Sequence, residues 1–400
     1  MNAPRRKLKK IAPAMQRDLS QSDSKNGLTG FLTSEKAFIA AAISALLCFA
    51  IENGVFHVID SPIVLTVLFT WLFVVMIFGA LGVVRHAESV AHRVGEPFGT
   101  LLLTLAAVSL EVLMVTIVIL HTDSGYEGHT DVGDSFVARD MVFAVLMIVI
   151  NGLVGVCLIT GGFKYGDQKY NMKSSKSFFS MIVCLTGIGM FIPMFLPADF
   201  QGTYLIFQII AMLLVYGVFL RTQAVENRQY FIYSNSQEEH EEEVLSKRDQ
   251  RMSTAYHTFM LIATLAIVLY LSESLARVID EGVDLLRLPQ ALGAMVLAIL
   301  VLSPEALTAI RAGRRNDMQR VVNISLGSAL SSLALTIPVI SIVSFFISGD
   351  VVWALTPLQA ILLLVTLGVG MNTYKDGETN VLQGVIHLIV FAAFIVLIFN

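Results

Sequence analysis

Charge is scarce in this sequence. Asp, Glu, Lys and Arg make up 14% of its 400 residues, against roughly 25% in an ordinary soluble domain. That shortfall argues against a soluble globular enzyme. The net charge is only −4, so no basic excess points to nucleic acid. Cysteine is nearly absent: Cys48, Cys157 and Cys184 are scattered through apolar runs, with no CxxC or Cys/His cluster to make a disulfide framework or a zinc site. There is no H-E-x-x-H, no G-x-x-x-x-G-K-[ST] and no G-x-S-x-G, so metalloprotease, ATP-driven and serine-hydrolase chemistries lack support. No apolar segment with a small-residue cleavage site follows the basic stretch Arg5, Arg6, Lys7, Lys9 and Lys10 directly. The N-terminus reads as a cytoplasmic tail and not as a cleaved signal.

What the chain has in abundance is long apolar runs. Hydrophobic residues are 55% of the total and the mean hydropathy is +0.72. Runs of about 18 or more such residues mark membrane-spanning helices. About eleven are expected, at 36–56, 62–91, 97–121, 140–162, 177–197, 203–224, 254–279, 290–311, 319–347, 353–371 and 381–399. The fold class expected is therefore an all-α polytopic membrane protein. Lys and Arg set its orientation. Lys164, Lys169, Lys173 and Lys176 in one loop, and Arg311, Arg314, Arg315 and Arg320 in another, belong to the cytoplasm. The acidic loops 122–139 and 280–289 belong outside. That places the N-terminus inside and the C-terminus outside.

The longest interior connection, 225–253, holds the acids Glu238, Glu239, Glu241, Glu242 and Glu243 and reads as a solvated linker. It divides the chain into a basic tail 1–35, an extra N-terminal helix 36–56, a first five-helix repeat 62–224, the linker, and a second five-helix repeat 254–400. An odd number of spans per half forces the halves into opposite orientations, the arrangement of inverted-repeat transporters.

Two carboxylates stand in the wrong solvent. Glu111 lies about fourteen residues past Pro97 and Glu305 about fifteen past Pro289, so both fall near the bilayer midplane. A midplane acid costs about 3 kcal/mol even on a lenient scale. Each has a serine two residues earlier, Ser109 and Ser303. Desolvation favours the protonated carboxyl and a bound cation favours the ionised one, so such a pair binds protons or metal ions in competition. Pro304 removes a backbone donor and is expected to free the Leu300 carbonyl as an oxygen ligand. Asn151 in span 4 and Ser328 in span 9 offer further oxygens. Glu88 in span 2 and Glu273 in span 7, each inside a Ser/Glu-containing segment before a glutamate helix, fit a vestibule or proton path. His387 reads as a packing histidine. The other reading of paired midplane acids is a cation channel, which needs a continuous hydrated pathway.

These residues resemble the calcium/cation antiporter superfamily in its proton-coupled branch, most of all the bacterial sodium–potassium/calcium–proton antiporters of the ChaA type. The likeness is carried by HAESVAHRVGEPFGTLLLTLAAVSLEV and LSPEALTAIRAGRRNDMQRVVNISLGSALSSLALTIPV, which look like the two α-repeat regions. It implies Glu111 and Glu305 as central cation and proton carriers, and Asn151, Ser328, Glu88 and Glu273 at matching positions. It implies export of Ca²⁺ and/or Na⁺ or K⁺ against H⁺ across a bacterial inner membrane, with no organic cofactor and with lipid, inorganic cations and protons as partners. One departure stands out. Many relatives carry Gly-Asn-Ala-x-Glu in each repeat, where this chain reads Ala107-Val108-Ser109-Leu110-Glu111 and Val301-Leu302-Ser303-Pro304-Glu305.

Overall fold

The computed structural model describes residues 35–52, 62–94, 98–123, 136–223, 252–346 and 351–399. The tail before residue 35, the acidic run 238–243, the acids of 124–135 and Pro97 lie outside them. The described residues form eleven apolar helices: α1 Lys36–Glu52, α2 Pro62–Val94, α3 Phe98–Asp123, α4 Val137–Tyr165, α5 Met172–Phe195, α6 Ala198–Arg221, α7 Thr254–Leu286, α8 Gln290–Arg314, α9 Met318–Ser344, α10 Pro357–Thr373 and α11 Val381–Ile398. Among the described residues, eight are long and apolar enough to cross a membrane, while α1 and α10 are shorter. After α1 come two five-helix halves, α2–α6 and α7–α11, of inverted orientation.

The connections agree with a chain that crosses eleven times. The α4–α5, α8–α9 and α10–α11 connections, each after an even number of helices, meet at one end. There Gln168–Lys169 pairs antiparallel with Glu378–Thr379, Tyr165 Oη donates to the Arg314 carbonyl at 3.1 Å and Gln168 Nε2 to Asn316 Oδ1 at 2.9 Å. At the other end the segments after α3 and α9 meet, where Arg139 donates to the Ala354 carbonyl at 3.0 Å and Gln359 to Asp140 at 2.8 Å. Short polar residues stop and start the helices locally. Thr356 with Gln359, and Asn380 with Gln383, form capping boxes that satisfy the first N–H groups of α10 and α11.

Burial ranks the helices. Within their most apolar windows α4 is 83% buried and α9 67%, while α11 is 22% buried. The equivalent helices α4 and α9 therefore form the centre, and the outer helices turn Phe195, Ile210, Phe259 and Ile389 outward. A surface so apolar suits acyl chains and would be an aggregation patch in water. Both central helices contain a π-turn, Ile148–Leu153 in α4 and Ser332–Thr336 in α9, the wide kind of turn often found at functional sites. The 33-residue α2 and α7 pack along each other. At 1.5 Å per residue each is about 50 Å long, well beyond about 30 Å of hydrocarbon. Their backbones come close at Gly79, where an added Cβ would sit 2.6 Å from Val268.

Candidate cation site at the centre of the bundle

The two glutamate helices pack crosswise onto the two π-turns: α3 against that of α9, and α8 against that of α4. This is the pseudo-symmetric relation expected of inverted halves. Glu111 on α3 is 4% exposed. Its Oε2 accepts a hydrogen bond from Ser332 at 2.7 Å and its Oε1 one from Thr336 at 3.0 Å. Both donors come from the α9 π-turn, so the first half's carboxylate is held by hydroxyls of the second half. A charged acceptor bound this way is favoured by about 1.5–3 kcal/mol per bond.

Glu305 is placed differently. Its Oε2 is buried and has no hydrogen-bond partner among the described residues. The helices that carry the two carboxylates, α3 and α8, touch each other. An orphaned buried oxygen costs about 1–3 kcal/mol, more when charged. It is relieved by a proton or by a cation. Among the described residues no three His, Cys, Asp or Glu side chains converge on one point. Among the described residues, the charged part of the centre is this pair of glutamates, with the hydroxyls of Ser332 and Thr336 on Glu111.

The remaining expected residues fall at varied distances from that arrangement. Residues two apart on a helix do not share a face, so Ser109 and Ser303 stand away from the face of Glu111 and Glu305. Ser303 Oγ donates to the Leu300 carbonyl at 2.7 Å. The carbonyl that Pro304 deprives of its N–H is thus recapped by a neighbouring hydroxyl, and α8 continues as regular helix through Pro304. That corrects the expectation of an unwound, free carbonyl ligand there. Ser328 is half-buried and one turn before Ser332, on the same stripe.

Asn151 lies in the α4 π-turn, fully buried. Its Nδ2 donates to Thr366 at 2.9 Å, and its Oδ1 is 3.1 Å from His387 Nδ1. His387 Nε2 is in turn 3.0 Å from Thr373 Oγ1. Asn151 therefore ties α4 to α10 and α11, and both nitrogens of His387 are engaged. Gly152 and Gly155 belong to the same packing, since a Cβ on Gly155 would press on Leu388 and the Gly384 carbonyl. Glu88 is exposed. Glu273 is half-buried and paired with Arg277 at 3.0 Å.

Ser332 and Thr336 are not among the site residues expected above. Their signal is present in hindsight as Ser328-x-x-x-Ser332-x-x-x-Thr336, a four-residue spacing that lines one helix face with hydroxyls.

Comparison with known proteins agrees with this architecture. The model of the sodium/calcium exchanger protein family matches residues 64–225 and 256–400. The chain is 35% identical over 318 residues to y4hA of Sinorhizobium fredii, which is named as an ionic transporter; the match covers 78% of this chain and 83% of that one. It is 31% identical over 321 residues to the sodium-potassium/proton antiporter ChaA of Escherichia coli, covering 80% and 85%. The solved structure of native YfkE has the same fold, with a TM-score of 0.68 at 19% identity over 91% of this chain and 99% of that one. With both halves matched and the intervening connection left out, the chain belongs to the sodium/calcium exchanger protein family, a family of transporters and not of enzymes.

Proposed function

We propose that the protein is a proton-coupled antiporter that exports Ca²⁺ and/or Na⁺ or K⁺ in exchange for H⁺, with Glu111 and Glu305 binding cation or proton by turns. The observation that carries this reading is the unpartnered buried oxygen of Glu305 beside a Glu111 held by Ser332 and Thr336. A hydroxyl can donate to a carboxylate or, after rotating, offer its lone pair to a cation, so the same shell serves both occupants. The pair tolerates one proton, two protons or a cation between them far better than two bare charges. That preference makes ion release and proton uptake alternate.

Inversion supplies the access. Each half contributes one glutamate helix and one π-turned helix. Rocking one half against the other opens the carboxylates first to one side and then to the other. The name of the Escherichia coli relative supports Na⁺ and K⁺ as cargo, and the family's description supports Ca²⁺. The Lys- and Arg-rich even connections favour a cytoplasmic N-terminus in a bacterial inner membrane.

The test is flux in proteoliposomes under an imposed pH gradient, with Na⁺, K⁺ and Ca²⁺ supplied separately. An antiporter moves protons whenever it moves a cation and is driven by the pH gradient alone. Cation flux without proton counterflow would overturn the reading.

A further inference from the structure

A second buried cluster of titratable groups lies away from the glutamates, at the end of the bundle where α2 finishes and α7 begins. His86 on α2 and His257 on α7 are 1% and 0% exposed, and their Nδ1 atoms are 3.0 Å apart. Glu35, at the foot of α1, accepts from Arg85 through Oε2 and from Tyr256 Oη through Oε1 at 2.7 Å. His86 Nε2 is 3.2 Å from the same Glu35 Oε2 and 3.1 Å from Arg85 Nη2. Arg93, the penultimate residue of α2, donates to Thr254 at 3.1 Å and to the Met252 carbonyl. Three helices are thus fastened by one polar knot. A cleft of about 160 Å³ lined by Glu35, Arg85, His86 and Thr264 opens onto it, with room for several waters.

The proton count of this knot is limited by geometry. Two Nδ1 atoms 3.0 Å apart share one hydrogen, so one ring must accept. Arginine only donates and carboxylate only accepts. His86 Nε2 therefore either donates to Glu35 while Nδ1 accepts from His257, or accepts from Arg85 while Nδ1 donates to His257. A single added proton is accommodated, on either ring. A second one puts N–H against N–H and two positive charges in contact.

We propose that His86 and His257 form a proton-sensing latch, separate from Glu111 and Glu305, which holds the ends of α2 and α7 together while at most one ring is charged and lets them part when both are.

Among the described residues, the other charged or titratable groups at these helix ends are Glu35, Lys36, Arg85, His92, Arg93 and Tyr256. Burial works against the Glu35 charge, but hydrogen bonds from His86 and Tyr256 and the Arg85 charge outweigh it and lower its pKa to about 2. Glu35 therefore stays ionised throughout the range in which imidazoles titrate, and arginine and tyrosine keep their charge states there. Of the other elements packed around α2, α3 brings no titratable group before Glu111, and α8 brings only Glu305, Arg311 and Arg314. Glu88 stands at the exposed side of α2. Since α2 and α7 open the two halves and both pack on α3 and α8, parting their ends changes how the halves meet. That consequence for exchange rests on the antiport reading; the latch itself does not.

The test reads distance, not transport. Val94 and Met252 are 48% and 44% exposed and flank the knot. Spin labels on Val94→Cys and Met252→Cys, in a Cys184→Ser background, report the separation of the two ends by pulsed electron resonance in lipid nanodiscs. Lowering the pH from about 8 to 5 should convert a short distance to a longer one. In His257→Gln, which keeps a hydrogen-bonding side chain but does not titrate, the short distance should persist at every pH; His86→Gln serves if that variant does not fold. A distance that ignores pH in the parent, or a transition that survives in the glutamine variant, overturns the latch. Because no ion gradient is imposed, a failure of proton-coupled flux leaves this measurement unaffected.

Discussion

The hydroxyl of Ser332 lies 2.7 Å from Glu111 Oε2 and so joins residues 221 positions apart, one from each half of the molecule. The bond makes the state of one half's carboxylate depend on the position of the other half's central helix. Among the described residues no matching bond reaches Glu305 Oε2. The centre is therefore symmetric in backbone and asymmetric in satisfaction.

Ser332→Ala and Thr336→Val should each weaken exchange without unfolding the protein. Each removes one donor to a buried carboxylate, an effect of about 1.5–3 kcal/mol, or roughly ten- to more than a hundred-fold in apparent cation affinity. Cation titrations of flux in proteoliposomes read this directly. Unchanged affinity in both variants would mean that α9 only packs against Glu111.

Glu305→Gln should abolish proton-coupled flux while thermal stability in detergent holds or rises. The amide keeps the shape, removes the penalty of a buried charge and can neither titrate nor neutralise a cation. Flux and melting temperature, measured on the same preparation, separate this outcome from misfolding. Undiminished exchange would remove Glu305 from the mechanism.

Apparent cation affinity should fall as the pH falls, because proton and cation compete for the same carboxylates. The measurement is half-saturating cation concentration between about pH 6 and 9. A constant value over that window would contradict shared sites.

The spans were legible in the sequence because lipid demands long apolar runs, whatever the tertiary fold. The odd number of helices per half was legible too, and so was the placement of Glu111 and Glu305 well inside their helices, from counting residues. What surrounds the glutamates was not. Ser109 and Ser303 suggested themselves by proximity in sequence, yet a separation of two turns them off the glutamate face, and Ser303 is spent on Leu300. Asn151 has its polar ends taken by Thr366 and His387, partners more than 200 positions distant that no local pattern announces. Glu35 sat at the edge of a tail and acquired its role only where α1, α2 and α7 converge. Such contacts belong to helix packing, which hydropathy does not encode.

Glu35→Gln should destabilise the protein at neutral pH by up to about 3 kcal/mol, from a shift between 4.5 and about 2 at 1.36 kcal/mol per unit. The sign follows from a lowered carboxyl pKa. The stabilisation is whole above the unfolded value near 4.5 and is lost as the pH falls toward 2. The gap in melting temperature between parent and variant should therefore narrow below about pH 4.5. A gap that stayed constant down to pH 3 would show that the ionised carboxylate is not what ties α1 down.

Ion choice is the last expectation, and helix geometry sharpens it. Val108 and Leu302 lie three residues before Glu111 and Glu305, and residues three apart share a helix face. Both are buried and apolar, at 6% and 3% exposure. The positions best placed to add a neutral oxygen beside each carboxylate therefore add none. Ca²⁺ takes six to eight oxygens, several of them charged. Two carboxylates with the hydroxyls of Ser332 and Thr336 reach six only if both carboxylates bind through both oxygens, and water must supply the rest of a fuller shell. A shell this lean favours transport of Na⁺ or K⁺ alongside Ca²⁺. Val108→Asn combined with Leu302→Asn should raise the preference for Ca²⁺ over Na⁺ by about tenfold, the gain of roughly one charge-assisted ligand contact, at some cost in stability from burying two amides. Competition between the ions in a flux assay gives the ratio. If the parent carries Ca²⁺ alone, with no Na⁺ or K⁺ flux even at alkaline pH, the ligand count fails. The case for Glu305 would survive that result, because it rests on burial and a missing partner and not on which cation fills the gap.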